Sequence, residues 1–256
     1  MKIPFHKYQA TGNDFVLIDN RGGNYSFTKT QIEQICDRRF GVGADGLILI
    51  ETHPTLDFNL VYYNSDGSQS LCGNGSRAAV VMAASLGLLK DKTVFNAYDG
   101  VHQADLNRGI VRLKMNDVAE TKKMGADHFI DTGSPHHLCF VPDVENYPVF
   151  EEGKKIRYST AYAPNGTNVN FIQLLANNTI YVRTYERGVE NETYSCGTGV
   201  TAAALAASFQ GYTSPVHVKV KGGELKVEFK SGQGGAFTDI YLIGPAKMVF
   251  EGTLEL

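Results

Sequence analysis

The chain has no Cys-x-x-Cys pair and no cysteine–histidine cluster at zinc-site spacing, so it is not read as a zinc module. It has no Walker phosphate loop. The one glycine-rich stretch that could suggest a nucleotide site, Gly41-Val42-Gly43-Ala44-Asp45-Gly46, follows an expected helix and precedes an expected strand, the reverse of the dinucleotide fingerprint. No lysine stands in a motif that suggests a Schiff base. No apolar run reaches the length of a membrane span; the alanine-rich stretch 78–89 is too short and runs into Lys90-Asp91-Lys92. There is no basic excess: 24 Lys and Arg stand against 27 Asp and Glu, a net charge of −3. Neither nucleic acid nor an anionic membrane is therefore expected as a partner. The opening residues Met1-Lys2-Ile3-Pro4-Phe5-His6-Lys7 lack the apolar core of a signal peptide. The expectation is a reducing, cytoplasmic setting, where four cysteines are thiols rather than structural disulfides.

What is present is a globular composition, 43% apolar and 20% charged over 256 residues, enough for one large domain or two ordinary ones. Short runs of β-branched, aromatic and leucine residues mark strands near 15–19, 47–50, 58–63, 109–115, 137–141, 171–175, 180–185, 217–220, 224–230 and 240–243. Gly, Asn and Asp turns separate them. Helices are few: 28–40, capped by Thr28 or Thr30, and two alanine-rich ones at 76–89 and 200–209, with a short turn at 159–163. The pattern predicts an α+β, mostly antiparallel fold rather than a regular βαβ alternation.

Two cysteines open the same short pattern, Cys72-Gly73-Asn74-Gly75 and Cys196-Gly197-Thr198-Gly199. Laid on each other without a gap, segments 72–87 and 196–211 agree at seven of sixteen positions. The offset of 124 residues is about half the chain. Two homologous, pseudo-symmetric domains follow: 1–117, to which a C-terminal strand 246–256 returns, and 118–245. Both repeat helices are nearly apolar all round, so each is expected inside a wrapped sheet, with the active site in the cleft between the domains.

Each Gly-x-Gly is expected to let the backbone turn sharply into its helix. Unpaired N–H groups of the first turn then lie beside the sulfur, favouring thiolate and seating a carboxylate. A thiol on each side of one anion suits removal of a proton from the carbon next to a carboxylate and its return to the opposite face. Taken singly, either cysteine would be an ordinary small residue at a turn; the duplicated context changes that. Cys36 and Cys139 lack the turn and are read as core thiols.

The motifs resemble those of the diaminopimelate epimerase family, two-cysteine racemases that need no cofactor, and the resemblance covers essentially the whole chain. It is carried by 5–15 with Gly12-Asn13-Asp14-Phe15, by Asn64-Ser65-Asp66-Gly67-Ser68 and Leu71–Arg77, by Gly133-Ser134-Pro135-His136, by Asn168-Val169-Asn170-Phe171, by Tyr185-Glu186-Arg187-Gly188 and by Ser195–Gly199. The resemblance implies interconversion of L,L- and meso-diaminopimelate, in lysine and peptidoglycan-precursor synthesis, by a homodimer. It implies Cys72 and Cys196 as base and acid, and Gly73-Asn74 and Gly197-Thr198 as donors to the α-carboxylate. Asn13, Asn64, Asn168 and Arg187 would contact substrate, Glu186 would hold an ammonium, and His136 would sit beside the cysteines and tune them. Arg187 suits a carboxylate through its two-pronged fork. Ser134 stands where the family commonly has an Asn, and Gly46 where some members have a Gln; the loop from Arg187 to Cys196 is one residue longer than usual.

Other readings remain open on the residues alone. Proline and hydroxyproline racemases share the two thiols but typically show Cys-Gly-His-Gly at the first site, where this chain has Asn74. Phenazine-biosynthesis isomerases share the fold but lack the cysteines. A thiol-redox or amino-acid-binding protein would use the cysteines as a disulfide or not at all.

Overall fold

The computed structural model describes residues 2–256. In chain order the strands and helices are β1 (Lys2–Ala10), β2 (Asn13–Asp19), α1 (Lys29–Cys36), β3 (Gly46–Glu51), β4 (Phe58–Asn64), α2 (Gly73–Ser85), β5 (Lys92–Ala97), β6 (Gly100–Asn107) and β7 (Ile110–Lys114). There follow β8 (Lys122–Met124), β9 (Asp127–Asp131), β10 (Pro135–Phe140), α3 (Val149–Arg157), β11 (Asn168–Leu175), β12 (Thr179–Glu186) and β13 (Asn191–Thr193). Then come α4 (Gly197–Ala207), β14 (Val216–Val220), β15 (Gly223–Ser231), β16 (Phe237–Pro245) and β17 (Lys247–Glu255). The chain divides into two compact units, Met1–Leu113 with Gly244–Leu256, and Lys114–Ile243. The fold class is α+β.

In the first unit the strands pair in the order β17-β1-β2-β3-β4-β5-β6-β7. The β2–β3 and β4–β5 pairs are parallel and the others antiparallel. β1 and β2 form a hairpin whose two-residue turn, Thr11-Gly12, has φ of 49° and 85°. Helix α2 lies inside this sheet, against β1, β2, β3, β4, β6 and β17. Its interior position follows from its sequence: Ala78, Ala79, Val80, Met82 and Ala83 are all buried, with small side chains that let strands come close. A second cluster packs α1 on the other side, with Ile32 and Ile35 against Ile3, Val16 and Leu49.

In the second unit the order is β8-β9-β10-β11-β12-β14-β15-β16. Here β10–β11 and β12–β14 are parallel and the rest antiparallel. Apart from the short β13, which lies antiparallel to the end of β12 and precedes α4, order and polarity are position by position those of the first unit, where α2 follows β4. Every residue from Val200 to Ala207 is buried.

All four helices differ from the sequence expectation. Helix α1 starts after the expected cap, Thr28, with a capping box between Thr28 and Gln31, but it stops at Cys36 rather than running to 40. Asp37 ends it by accepting the Arg39 and Phe40 N–H groups, both at 2.7 Å. Helix α3 was not expected; Gly153 interrupts its pattern, and that glycine lets it lie on β12, since an added Cβ would be 2.4 Å from Tyr185 Cβ. Both alanine-rich helices begin three residues earlier than expected, at the glycine directly after the cysteine.

Candidate active site

Cys72 is the N-cap of α2, with φ −129° and ψ 109°. Its sulfur accepts the Gly75 N–H at 3.3 Å, taking the place of the oxygen usual at this position. The Ser76 N–H bonds the Cys72 carbonyl at 2.8 Å, so the amides of Gly73 and Asn74 have no acceptor within the helix. Neither Gly73 nor Gly75 has a positive φ, nor do Gly197 and Gly199. The expected release of the backbone is thus not their use; they provide room. A Cβ on Gly75 would lie 3.2 Å from Ile48 Cδ1, and one on Gly199 would lie 2.4 Å from Asn170 Oδ1.

Asn13, at the start of β2, joins Cys72 directly. The thiol donates to Asn13 Oδ1 at 3.7 Å, and Asn74 Nδ2 donates to the same oxygen at 3.2 Å. The Asn13 amide in turn donates to Asp45. Asn64, at the end of β4, holds the approach to the cysteine: its Nδ2 reaches the Ser68 carbonyl (3.2 Å), Ser68 Oγ (3.0 Å) and Ser70 Oγ (3.1 Å). A side chain at Gly46 has no space, because its Cβ would be 2.4 Å from the Tyr62 ring.

In the second unit Cys196 is the N-cap of α4, with φ −116° and ψ 112°, but its sulfur caps no amide. It stands 3.5 Å from Thr198 Oγ1. A hydrogen-bond chain runs behind it. Thr184 Oγ1 donates to Asn170 Oδ1 at 2.9 Å, so the Asn170 amide nitrogen faces His136 Nδ1 at 3.0 Å. That arrangement places the ring proton on His136 Nε2, which donates to Thr198 Oγ1 at 2.9 Å. The Thr198 hydroxyl hydrogen is then free for the sulfur. Burial, helped by the charge of Arg187, holds His136 down to about 3, so the ring is neutral. His136 is expected beside the cysteines; its hydrogen bond to Thr198 Oγ1 links it to the hydroxyl that stands 3.5 Å from the Cys196 sulfur.

Asn168 opens β11 and is buried. Its Nδ2 donates to Ser134 Oγ (2.8 Å) and the Pro135 carbonyl (3.0 Å), and its Oδ1 accepts the Arg187 N–H at 2.8 Å. Ser134 is thus tied to Asn168. Glu186, at the end of β12, accepts from Thr193 Oγ1 at 2.9 Å. The Arg187 side chain is half-buried and forms no ion pair among the described residues.

The one set of metal-ligand types that clusters among the described residues is Asp127, His137 and Cys139, with ligand atoms within 4.8 Å of one another. Both ring nitrogens of His137 already have partners, Tyr162 OH at 2.6 Å and Asp127 Oδ2 at 3.1 Å. The set is complete as a hydrogen-bonded group and lies outside the cysteine turns. Burial drives the Cys36 and Cys139 thiols up, Cys36 to about 11, as suits the core thiols they were read to be.

Sequence reasoning missed Asn170 and Thr184 as site residues. Strand alternation could have found the first: Asn168 and Asn170 stand two apart on β11 and share a face. It also left Arg77 unassigned. That side chain is wholly buried and donates to Thr11 Oγ1 at 3.2 Å.

The diaminopimelate epimerase family profile matches the chain twice, over residues 5–126 and 128–249. Diaminopimelate epimerase of Flavobacterium psychrophilum is 48% identical over 257 residues, covering 98% of this chain and 100% of the relative. That of Chlorobaculum tepidum is 43% identical, covering 96% and 99%. Among solved structures, a Bacillus anthracis phenazine biosynthesis protein of the PhzF family superposes with a TM-score of 0.78 at 14% identity, over the whole of both chains. A probable proline racemase from Agrobacterium radiobacter gives 0.69 at 15% identity, over 99% of this chain and 93% of the other. At such identities these two share the fold only. The repeated match, coinciding with two units of one strand order, and the full-length identity to curated relatives give the conclusion: this chain belongs to the diaminopimelate epimerase family.

Proposed function

We propose that the protein interconverts L,L- and meso-diaminopimelate by a two-base reaction, supplying a precursor of lysine and peptidoglycan. The observation that carries this reading is the pair of helix-capping cysteines, each followed by first-turn amides with no acceptor in the helix. One thiolate removes the α-proton, leaving the electron pair on the carbon. The other thiol delivers a proton to the opposite face. First-turn amides of α2 and α4 seat the α-carboxylate and bear the charge that develops. The reading needs neither a metal nor pyridoxal phosphate, because two thiols on opposite faces account for inversion.

Only one of two amino-acid ends of the substrate is inverted, so the far end must be gripped. Arg187 is the group suited to its carboxylate: half-buried, without an ion pair among the described residues, and fixed at its backbone by Asn168. Glu186 supplies an acceptor for its ammonium, and Asn13 and Asn64 line the first cysteine's side. A single-carboxylate substrate such as proline would leave Arg187 unused. The two halves of the reaction belong to the domains 1–117 with 246–256 and 118–245, in a cytoplasmic homodimer.

Solvent-deuterium exchange tests this. Purified protein should wash the α-proton of L,L-diaminopimelate into heavy water, leave L-proline untouched, and lose epimerisation entirely in Cys72→Ala and in Cys196→Ala. Substantial epimerisation by Cys196→Ala would sink the two-base reading, and exchange on proline alone would replace the substrate. Arg187→Ala should raise KM for diaminopimelate at least about tenfold, the loss of one charge-assisted pair, with an unchanged melting temperature.

A further inference from the structure

Arg157 is the last residue of α3, and its side chain is only 12% exposed. Its fork closes on one carboxylate: Nε and Nη2 donate to Glu190 Oε1 at 3.2 and 3.0 Å. Nη1 donates to the Asn165 carbonyl at 3.3 Å. Gly166 keeps the space that the fork fills, since an added Cβ there would stand 1.3 Å from Nη1. Helix α3 is itself seated on β12, by Gly153 and by the Phe150 ring, 5.8 Å from that of Tyr185. The cation is thus brought to Glu190 by a packed helix. Enclosed, multiply bonded pairs hold geometry where exposed single contacts hold little.

Glu190 in turn closes the segment that carries Glu186 and Arg187. Its N–H donates to the Glu186 carbonyl at 2.8 Å, and its Oε1 accepts the Gly188 N–H at 3.1 Å. Its Oε2 accepts from the Tyr185 hydroxyl at 3.3 Å. Burial pushes this carboxyl up, but the Gly188 amide, the Tyr158 hydroxyl and Arg157 outweigh it and hold the group below the usual carboxylate range. Glu190 is therefore ionised at neutral pH.

The backbone of the turn is held in conformations that need such support. Gly188 has φ 95° and Glu190 φ 56°. A residue with a side chain is uncommon in the left-handed region and stays there when its surroundings fix it. One residue on, Asn191 enters β13 opposite Glu186. Arg187 lies inside this closure, with its own N–H on Asn168 Oδ1 at 2.8 Å. A long side chain presents its fork to a carboxylate at lower entropic cost when its backbone is already fixed.

We propose that Glu190, anchored by Arg157 of α3, positions Arg187 to grip the far-end carboxylate of the substrate. Glu190 and Arg157 are positioning residues: they act on substrate only through Arg187. The identity of that carboxylate rests on the diaminopimelate reading, but the closure of the turn does not.

Amide hydrogen exchange, resolved at Gly188 and Glu190, reads the turn without substrate. Both amides should be protected in the wild type and exchange at least about tenfold faster in Glu190→Ala and in Arg157→Met. Deuterium washout from diaminopimelate reads the consequence. Either substitution should raise KM about tenfold with kcat within about twofold, because a grip made equally in ground and transition states acts on KM alone. Added to Arg187→Ala, Glu190→Ala should raise KM by less than about twofold more, since no guanidinium is left to position. Glu190→Gln keeps an oxygen for the Gly188 amide and gives up the charge, so its KM should fall between wild type and Glu190→Ala. Unprotected amides in the wild type overturn the proposal even where the variants do not fold. So does an unmoved KM in a folded Glu190→Ala, or a further rise of full size on the Arg187→Ala background. A melting temperature and kcat that fall together with KM unchanged would mark a merely structural role and also overturn it. Absence of washout by the wild type, with both amides protected, would remove the epimerase reading and the substrate role with it. Washout with an unmoved KM would keep that reading and remove the proposal.

Discussion

Asn170 is one residue whose side chain faces three ways: it accepts from Thr184, donates to His136 Nδ1 and donates to the His137 carbonyl at 3.2 Å. It thereby fixes the tautomer of a buried ring two bonds away from Cys196. A neutral histidine kept at about 3 when folded and near its ordinary value of about 6.5 when unfolded binds fewer protons in the native state over that interval. Stability from this group is therefore full above pH ~6.5 and is lost as pH falls toward ~3, with a slope of up to about 1.4 kcal/mol per pH unit. Urea unfolding at pH 7.0, 5.5 and 4.5 should show that slope in the wild type and a shallower one in His136→Asn. Gly199→Ala should push a methyl into Asn170 Oδ1, 2.4 Å from its Cβ, and cost about 1–3 kcal/mol of stability together with a fall in kcat; an unchanged kcat would show that the chain behind Cys196 tolerates displacement. Cys72, Cys196, Asn13, Asn168 and Arg187 stand out in the sequence because each lies in a short pattern that resembles one of the family's motifs. The burial of Arg77 is not legible, since nothing in a sequence says that a charge is enclosed.

The two alanine-rich helices were legible as elements, and their ends were not. Each starts on the residue after its cysteine, because the first turn tolerates glycine where the next strand's side chains crowd in. A glycine in the left-handed region closes each run: Gly87 at φ 76° just after α2, and Gly211 at φ 88° after the 3-10 turn Ser208–Gln210 that continues α4, the two separated by the repeat offset. After α2 the Leu88 N–H returns to the Ala83 carbonyl at 3.0 Å, closing a Schellman turn. Nothing lies within 4 Å of an added Cβ at either glycine. Gly87→Ala and Gly211→Ala should therefore each lose about 1 kcal/mol from backbone conformation alone, measured by chemical denaturation, with epimerisation rates unaltered. Strand β1 escaped sequence reading for a reason of packing. Its inward positions include Lys7, buried against Asp14, so the apolar alternation that marks a half-buried strand is broken at its centre. Helix α3 escaped through Gly153, which lowers helix propensity but is what lets the helix touch β12.

At the scale of the whole molecule, two units of equal strand order confirm the α+β class, while the mixture of parallel and antiparallel pairs was beyond reach of local pattern: polarity depends on which strands meet, and those lie far apart in the chain. The first unit is the discontinuous one. β17 pairs with β1 along eight register positions, Lys2↔Glu255 to Gln9↔Lys247, and buries Leu254 in the core with Ile3 and Phe5. A chain lacking 247–255 should lose hydrogen-exchange protection in β1 and β2 and keep it in β10–β12; equal loss in both units would show that they fold as one. The same pairing sets an order of events on the ribosome. The second unit is contiguous and has all its strands once residue 243 is out of the exit tunnel. The first, made earlier, stays one edge strand short until residues 247–255 emerge, its β1 edge open to solvent and to neighbouring nascent chains. The half synthesised first is the half completed last.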